Sequence, residues 1–79
     1  MVTPEQVQSY IEKGLQCLEV RVAVDGQHFE ARIVSEAFRG KSRVQRHQLV
    51  YAALGERMRA EIHALSMRTL TPEEAAENG

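Results

Sequence analysis

Two histidines, His28 and His63, and four cations, Arg39, Lys41, Arg43 and Arg46, are the residues whose types and spacing could do chemistry in this chain. Imidazole suits iron, copper or zinc, so the histidines are candidate metal ligands. A pair is half of a four-ligand set. Cys17 and His47 do not complete it: Cys17 falls at the end of a predicted helix, where it packs as a small hydrophobe, and His47 lies on the apolar stripe of another. A zinc site built by this chain alone is not expected. The four cations fall within eight residues around Gly40 and lead into a predicted helix N-terminus. Positive side chains beside free backbone N–H groups suit phosphate contact. The same charges suit an acidic patch on a protein partner, or a solvated helix face with no partner.

The elements that must position these groups follow from period and punctuation. Thr3 before Pro4 reads as a cap and a first-turn proline, and Val7, Tyr10, Ile11, Gly14, Leu15 and Leu18 recur at helical spacing. Val20, Val22 and Val24 alternate with other residues as in a half-buried strand, Asp25-Gly26-Gln27 turns the chain, and Phe29, Ala31 and Ile33 face inward on the return. Gly40 breaks the chain after Phe38, which packs beneath the loop. Ser42 then caps a helix from Arg43 to about Arg57, with Val44, His47, Tyr51, Leu54 and Met58 as its buried stripe, widened by Val50. A third strand is predicted over Glu61 to Arg68, and Thr71-Pro72-Glu73-Glu74 opens a short helix whose tail, through Gly79, is expected to fray without a role.

The resulting order, α-β-β-α-β-α, carries a geometric consequence. If the third strand pairs with the second, the helix between them is a crossover, so those strands are parallel and begin at the same edge of the sheet. His28 starts the second strand and His63 the third. Both then stand on one rim.

Composition bounds the function. The chain has 79 residues, of which 43 % are hydrophobic and 27 % charged, and its net charge is −1. That describes one small α/β domain over residues 1–79 and removes bulk attraction to nucleic acid, leaving only a local basic surface. A single cysteine fits a reducing compartment, so a cytoplasmic location is expected, with neither a signal peptide nor a membrane segment. No nucleophile with a base, no carboxylate pair in a cleft context and no phosphate-cradling glycine motif is present. A non-enzyme is expected.

Phe38-x-Gly40-x-Ser42-Arg43-Val44-x-Arg46-His47, running on to Val50-Tyr51, followed by Ile62-His63-Ala64-Leu65-Ser66 ahead of Thr71-Pro72, resembles the BolA family and most closely its IbaG-like bacterial branch. Phe38, Gly40, Val44 and Tyr51 carry the structural part of that signature. The resemblance implies a type II KH-like fold, a three-stranded mixed sheet with helices on one face. It also implies a monothiol glutaredoxin partner and a [2Fe-2S] cluster shared with the glutaredoxin and its glutathione, with no cofactor in the isolated chain. By the same resemblance His63 is the strand ligand and His28 takes the hairpin-loop position, where some relatives have cysteine. The competing implication is a DNA- or RNA-binding stress-response regulator acting through the Gly40 loop. KH domains clamp a nucleic-acid backbone with a GXXG loop, and here Gly40-Lys41-Ser42-Arg43 lacks the second glycine. A weak homodimer is left open.

Overall fold

The computed structural model describes residues 2–77. The elements are α1 (Pro4–Gly14), β1 (Glu19–Asp25), β2 (His28–Val34), α2 (Arg43–Leu54), β3 (Leu65–Leu70) and α3 (Pro72–Glu77), with 3-10 turns at Glu36–Phe38 and Ile62–Ala64. The sheet order is β1-β2-β3; β1 and β2 are antiparallel, and β2 and β3 are parallel across α2. This is the mixed three-stranded arrangement that the sequence predicts.

Local chemistry explains most of the boundaries. The Thr3 side chain accepts from the Gln6 N–H while the Gln6 side chain accepts from the Thr3 N–H, a reciprocal capping box, and Pro4 fills the first turn. Val7 and Ile11, one turn apart, are fully buried. The helix stops at Gly14, earlier than the apolar spacing suggests. Leu15 turns extended, and the Leu18 N–H bonds to the Val34 carbonyl, so that segment already belongs to the sheet. Leu18 is therefore 69 % exposed rather than part of a helical stripe, and Cys17 sits in the connector. At the crossing of α1 with α2, a Cβ on Gly14 would lie 2.7 Å from both Cα and Cβ of Ala53. Only a residue without a side chain lets the helices approach so closely.

In the hairpin, Asp25 pairs with His28, leaving Gly26 and Gln27 as a two-residue turn. The inward face carries Phe29, Ala31 and Ile33, all buried, with Val20 beside them. The alternation weakens along β1: Val20 is buried, Val22 half-buried, and Val24 is 46 % exposed.

Two sequence expectations are corrected on α2 and β3. The helix ends at Leu54, not near Arg57, because Gly55 adopts φ 59° and donates its N–H to the Tyr51 carbonyl, a helix-ending conformation that glycine tolerates. Its buried residues are Val50, Ala53 and Leu54. Val44 is 65 % exposed and Tyr51 42 %, so neither belongs to the core stripe; Met58 reaches the core from the turns after the helix. Alpha-helical spacing placed two faces within reach of one stripe, and the packing of α1 against Ala53 selects between them. Likewise β3 begins at Leu65. The Ala64 N–H bonds to the Glu61 carbonyl, winding Ile62–Ala64 into a 3-10 turn, so His63 stands on that turn and not on the strand.

The core gathers Val7, Ile11, Phe29, Ile33, Phe38, Val50, Leu54 and Met58 between the sheet and helices α1 and α2. Phe38 is fully buried under the loop that Gly40 turns with φ 75°. Ser35, also fully buried, donates from Oγ to the Gln16 carbonyl at 2.6 Å and accepts from the Ala37 N–H at 3.0 Å, so its burial leaves no polar atom unmatched.

Candidate functional site

The parallel register of β2 and β3 starts at Phe29 opposite Leu65. His28 is the residue just before that pair on one strand, and His63 stands two residues before it on the other, so both occupy the same end of the sheet. Their settings differ. His28 is half-buried, projects on the sheet face that carries Glu30 and Arg32, and holds its Nε2 2.6 Å from the Ser66 hydroxyl, the diagonal neighbour on β3. That contact steadies the ring, and Nδ1 makes no hydrogen bond among the described residues. His63 is exposed, and its ring makes no hydrogen bond among the described residues. It borders a mainly apolar groove with Pro4 at the start of α1, Val24, Gly26 and Gln27 of the hairpin, and Phe29. Among the described residues, no group of three or more His, Cys, Asp or Glu side chains is placed to hold a metal ion.

Cys17 is half-buried, its Sγ 3.3 Å from the Leu15 carbonyl, and burial followed by the nearby Glu12 charge pushes its thiol pKa up. It is a poor thiolate. His47 is half-buried between α2 and β3, and burial, then the neighbouring Arg43 charge, lowers its pKa.

The basic loop separates into committed and uncommitted charges. Arg46, expected on an open surface, is instead the keystone of a corner: its guanidinium donates to the Lys41 carbonyl at 2.9 Å, to the Thr69 carbonyl at 3.1 Å and to both Glu74 oxygens at 2.7 and 3.3 Å. Only 14 % of its side chain is exposed. Arg39 pairs with Glu36 and, at 2.9 Å, with Glu73. The hydrogen bond from Arg46 holds the Glu74 carboxyl down at about 2, and Arg39 lowers that of Glu73. Glu73 and Glu74 thus have roles that the sequence reading withheld from this segment; Asn78 and Gly79 lie outside the described residues. Lys41 and Arg43 have no acidic partner among the described residues and, with Arg68 and His47, line a groove beside the start of α2. Ser42 caps that helix reciprocally with Gln45.

Sequence reasoning missed Ser66, Arg68, Thr69 and Glu74. For Ser66 and Arg68 a signal existed, since period two from Leu65 puts both on the outer face. None existed for the Arg46–Glu74 contact, which depends on where α3 docks. Tyr51, read as buried, offers an exposed aromatic edge on the same helix as Arg43.

A three-stranded mixed sheet covered by two helices, with a histidine-bearing end and a basic loop before the crossover helix, defines a class of small α+β domain. The profile of the BolA-like protein family matches residues 8–74, and this chain belongs to that family. It is 42 % identical over 72 residues to the acid stress protein IbaG of Escherichia coli K12, covering 90 % of this chain and 86 % of that one. It is 43 % identical over 67 residues to SufE-like protein 1 of Arabidopsis thaliana, covering 84 % of this chain but only 18 % of that longer protein. Its fold matches a BolA protein homologue from Coxiella burnetii with a TM-score of 0.79 and 46 % identity, over 96 % of this chain and 99 % of that one. No helix among the described residues is long and apolar enough to cross a membrane.

Proposed function

We propose that this chain is a non-catalytic, cytoplasmic partner protein in iron–sulfur cluster handling. It binds a monothiol glutaredoxin and offers His63, with His28, as ligands to a [2Fe-2S] cluster otherwise held by the glutaredoxin and its glutathione. The observation that carries this reading is the placement of two imidazoles at one end of the sheet, one exposed and unbonded, the other steadied by Ser66. Imidazole nitrogen suits iron, and a ring fixed through one nitrogen presents the other as a ligand. When bound, a cluster with histidine ligands has a higher reduction potential than one held by cysteines alone. The apolar groove beside His63 gives a partner a surface to cover while it brings the remaining ligands. Membership of the BolA-like family supports the same reading.

Mixing the chain with a cluster-loaded monothiol glutaredoxin is expected to change the visible absorption and circular dichroism. His63→Ala abolishes that change and His28→Ala reduces it. An unaltered spectral shift and affinity in His63→Ala would refute the ligand assignment.

A second reading, DNA or RNA binding at the Gly40 loop, is favoured by one observation: Tyr51 is exposed on α2 and so available for stacking, while Lys41 and Arg43 are unpaired among the described residues. With Arg39 and Arg46 committed to acids, few phosphates can be contacted. The slope of log affinity against log salt is then shallow, about −0.9 per contacted phosphate on duplex DNA. A filter-binding titration at two salt concentrations reads that slope, and Lys41→Gln removes about one phosphate's worth of it.

A further inference from the structure

The open face of the sheet carries a row of charges that meets the groove of the basic loop only through Arg68. Arg21 on β1 is paired in register with Arg32 on β2, and Arg32 with Arg68 on β3. Three guanidinium-bearing side chains thus stand abreast on one face, on strands about 4.8 Å apart. Like charges directly opposite each other destabilise a sheet. One carboxylate offsets part of this: Glu19 contacts Arg21 at 2.9 Å and Arg32 at 2.7 Å. Arg68 is exposed and has no acidic partner among the described residues. The adjacent row, Ala23–Glu30–Ser66, is short at both ends, so a shallow depression opens beside the arginines.

The face is banded rather than uniformly basic. Glu19 flanks the arginine row on one side, and Glu30 and then Asp25 flank it on the other. A polyanion such as a nucleic-acid backbone or an anionic membrane would meet those carboxylates as well as the arginines. A narrow acidic stripe would meet the arginines alone. Carboxylates at i, i+3/i+4 on a helix are about 5–6 Å apart, close to the strand spacing, whereas same-side residues of an extended peptide repeat at about 6.6–6.8 Å. The chain's own acidic helix borders one end of the row, where Ala75 and Ala76 lie beside Glu19, Arg21 and Arg32, while its Glu73 and Glu74 are held by Arg39 and Arg46.

We propose that the open sheet face docks an amphipathic helix of a partner protein. One acidic stripe of that helix meets Arg21, Arg32 and Arg68, and its small side chains lie over Ala23 and Ser66. Guanidinium–carboxylate pairs of this kind are directional as well as strong. The inference stands on the strand register and is independent of the cluster reading.

The test is an amide-shift titration of the full isotopically labelled chain with a synthetic helical peptide bearing Glu at i, i+4 and i+7 on an alanine-rich surface. A peptide with Gln at those positions is the control. Saturable shifts at residues 21–23, 30–32 and 66–68 are expected, with binding about tenfold weaker for Arg68→Thr, as the loss of one charged hydrogen-bonding pair implies, and weaker still for the Gln peptide, which loses all three. Arg68→Thr, which removes a like charge and places a β-branched residue in a strand, is also expected to raise the midpoint of thermal unfolding of the free chain. Four results would each overturn the proposal: no shifts on this face, unchanged affinity in an Arg21→Gln, Arg68→Thr double variant, tighter binding there of a short oligonucleotide or of phosphatidylserine vesicles, or a lower melting midpoint for Arg68→Thr.

Discussion

The corner around Arg46 and the histidine end of the sheet look alike in sequence, each a set of polar groups beside a turn, and they are opposite in structure. At the corner, two cations are closed by acids from α3: Arg46 by Glu74, Arg39 by Glu73. At the histidine end a single side-chain hydrogen bond, His28 to Ser66, is the commitment, and His63 has none among the described residues. Charge density therefore does not locate a binding surface; what matters is whether the chain already satisfies the charge. The fold makes scaffold of Arg39 and Arg46 in the more conspicuous cluster and leaves the quieter one open.

That contrast can be broken first at Arg46. Arg46→Ala removes the bonds to the Lys41 and Thr69 carbonyls and leaves Glu74 without its guanidinium. Losing charged hydrogen bonds from a mostly buried group costs about 2–4 kcal/mol, measured as a fall in the urea midpoint with faster amide exchange in α3. A loss no larger than that of a surface substitution would show that the corner is not scaffold.

Acid sharpens the same point. The folded Glu74 carboxyl lies at about 2 against an ordinary 4.5, so its contribution is full above 4.5 and is lost as pH falls towards 2. The Glu73 carboxyl is lowered by Arg39 and follows the same sign. α3 is expected to release from Arg39 and Arg46 across that window, followed by side-chain carboxyl chemical shifts; a Glu74 midpoint near 4.5 would contradict the ion pair.

Smaller again is Arg39→Gln. Its pairs are half-exposed and screened, so the unfolding midpoint should move little, and less still in high salt. The smallest effect on stability is expected at the opposite end. His63→Ala stays within about 0.5 kcal/mol of the parent, as exposed positions without partners do, while it abolishes the spectral response to the glutaredoxin. A marked loss of stability there would make His63 structural and erase the contrast.

The division also marks how far the sequence could be read. The capped starts of α1, α2 and α3 were visible because Thr3-Pro4, Ser42 and Thr71-Pro72 encode them locally. The shared rim of His28 and His63 followed from element order and crossover geometry alone. The ends of elements were less visible: Gly55 stops α2 a turn early, and a 3-10 turn takes residues 62–64 out of the strand. The side of α2 that is buried was misjudged at Val44 and Tyr51, because helical period fixes an angle but not which neighbour arrives to cover it. Arg46 was misread for a related reason, since its acid lies on an element whose docking no local pattern specifies.

The parallel pairing of β2 with β3 has a consequence for how the chain is made. During synthesis the β1–β2 hairpin can close as soon as it emerges, but the other edge of β2, from Phe29 to Val34, has no partner until Leu65–Leu70 has been translated. In that interval the nascent chain carries an unpaired edge beside the apolar side chains of Phe29, Ala31 and Ile33, the kind of surface that invites pairing with another chain. The histidine end cannot exist on a ribosome-bound fragment that stops short of β3. A partner that reads both imidazoles therefore reads completed folding as well.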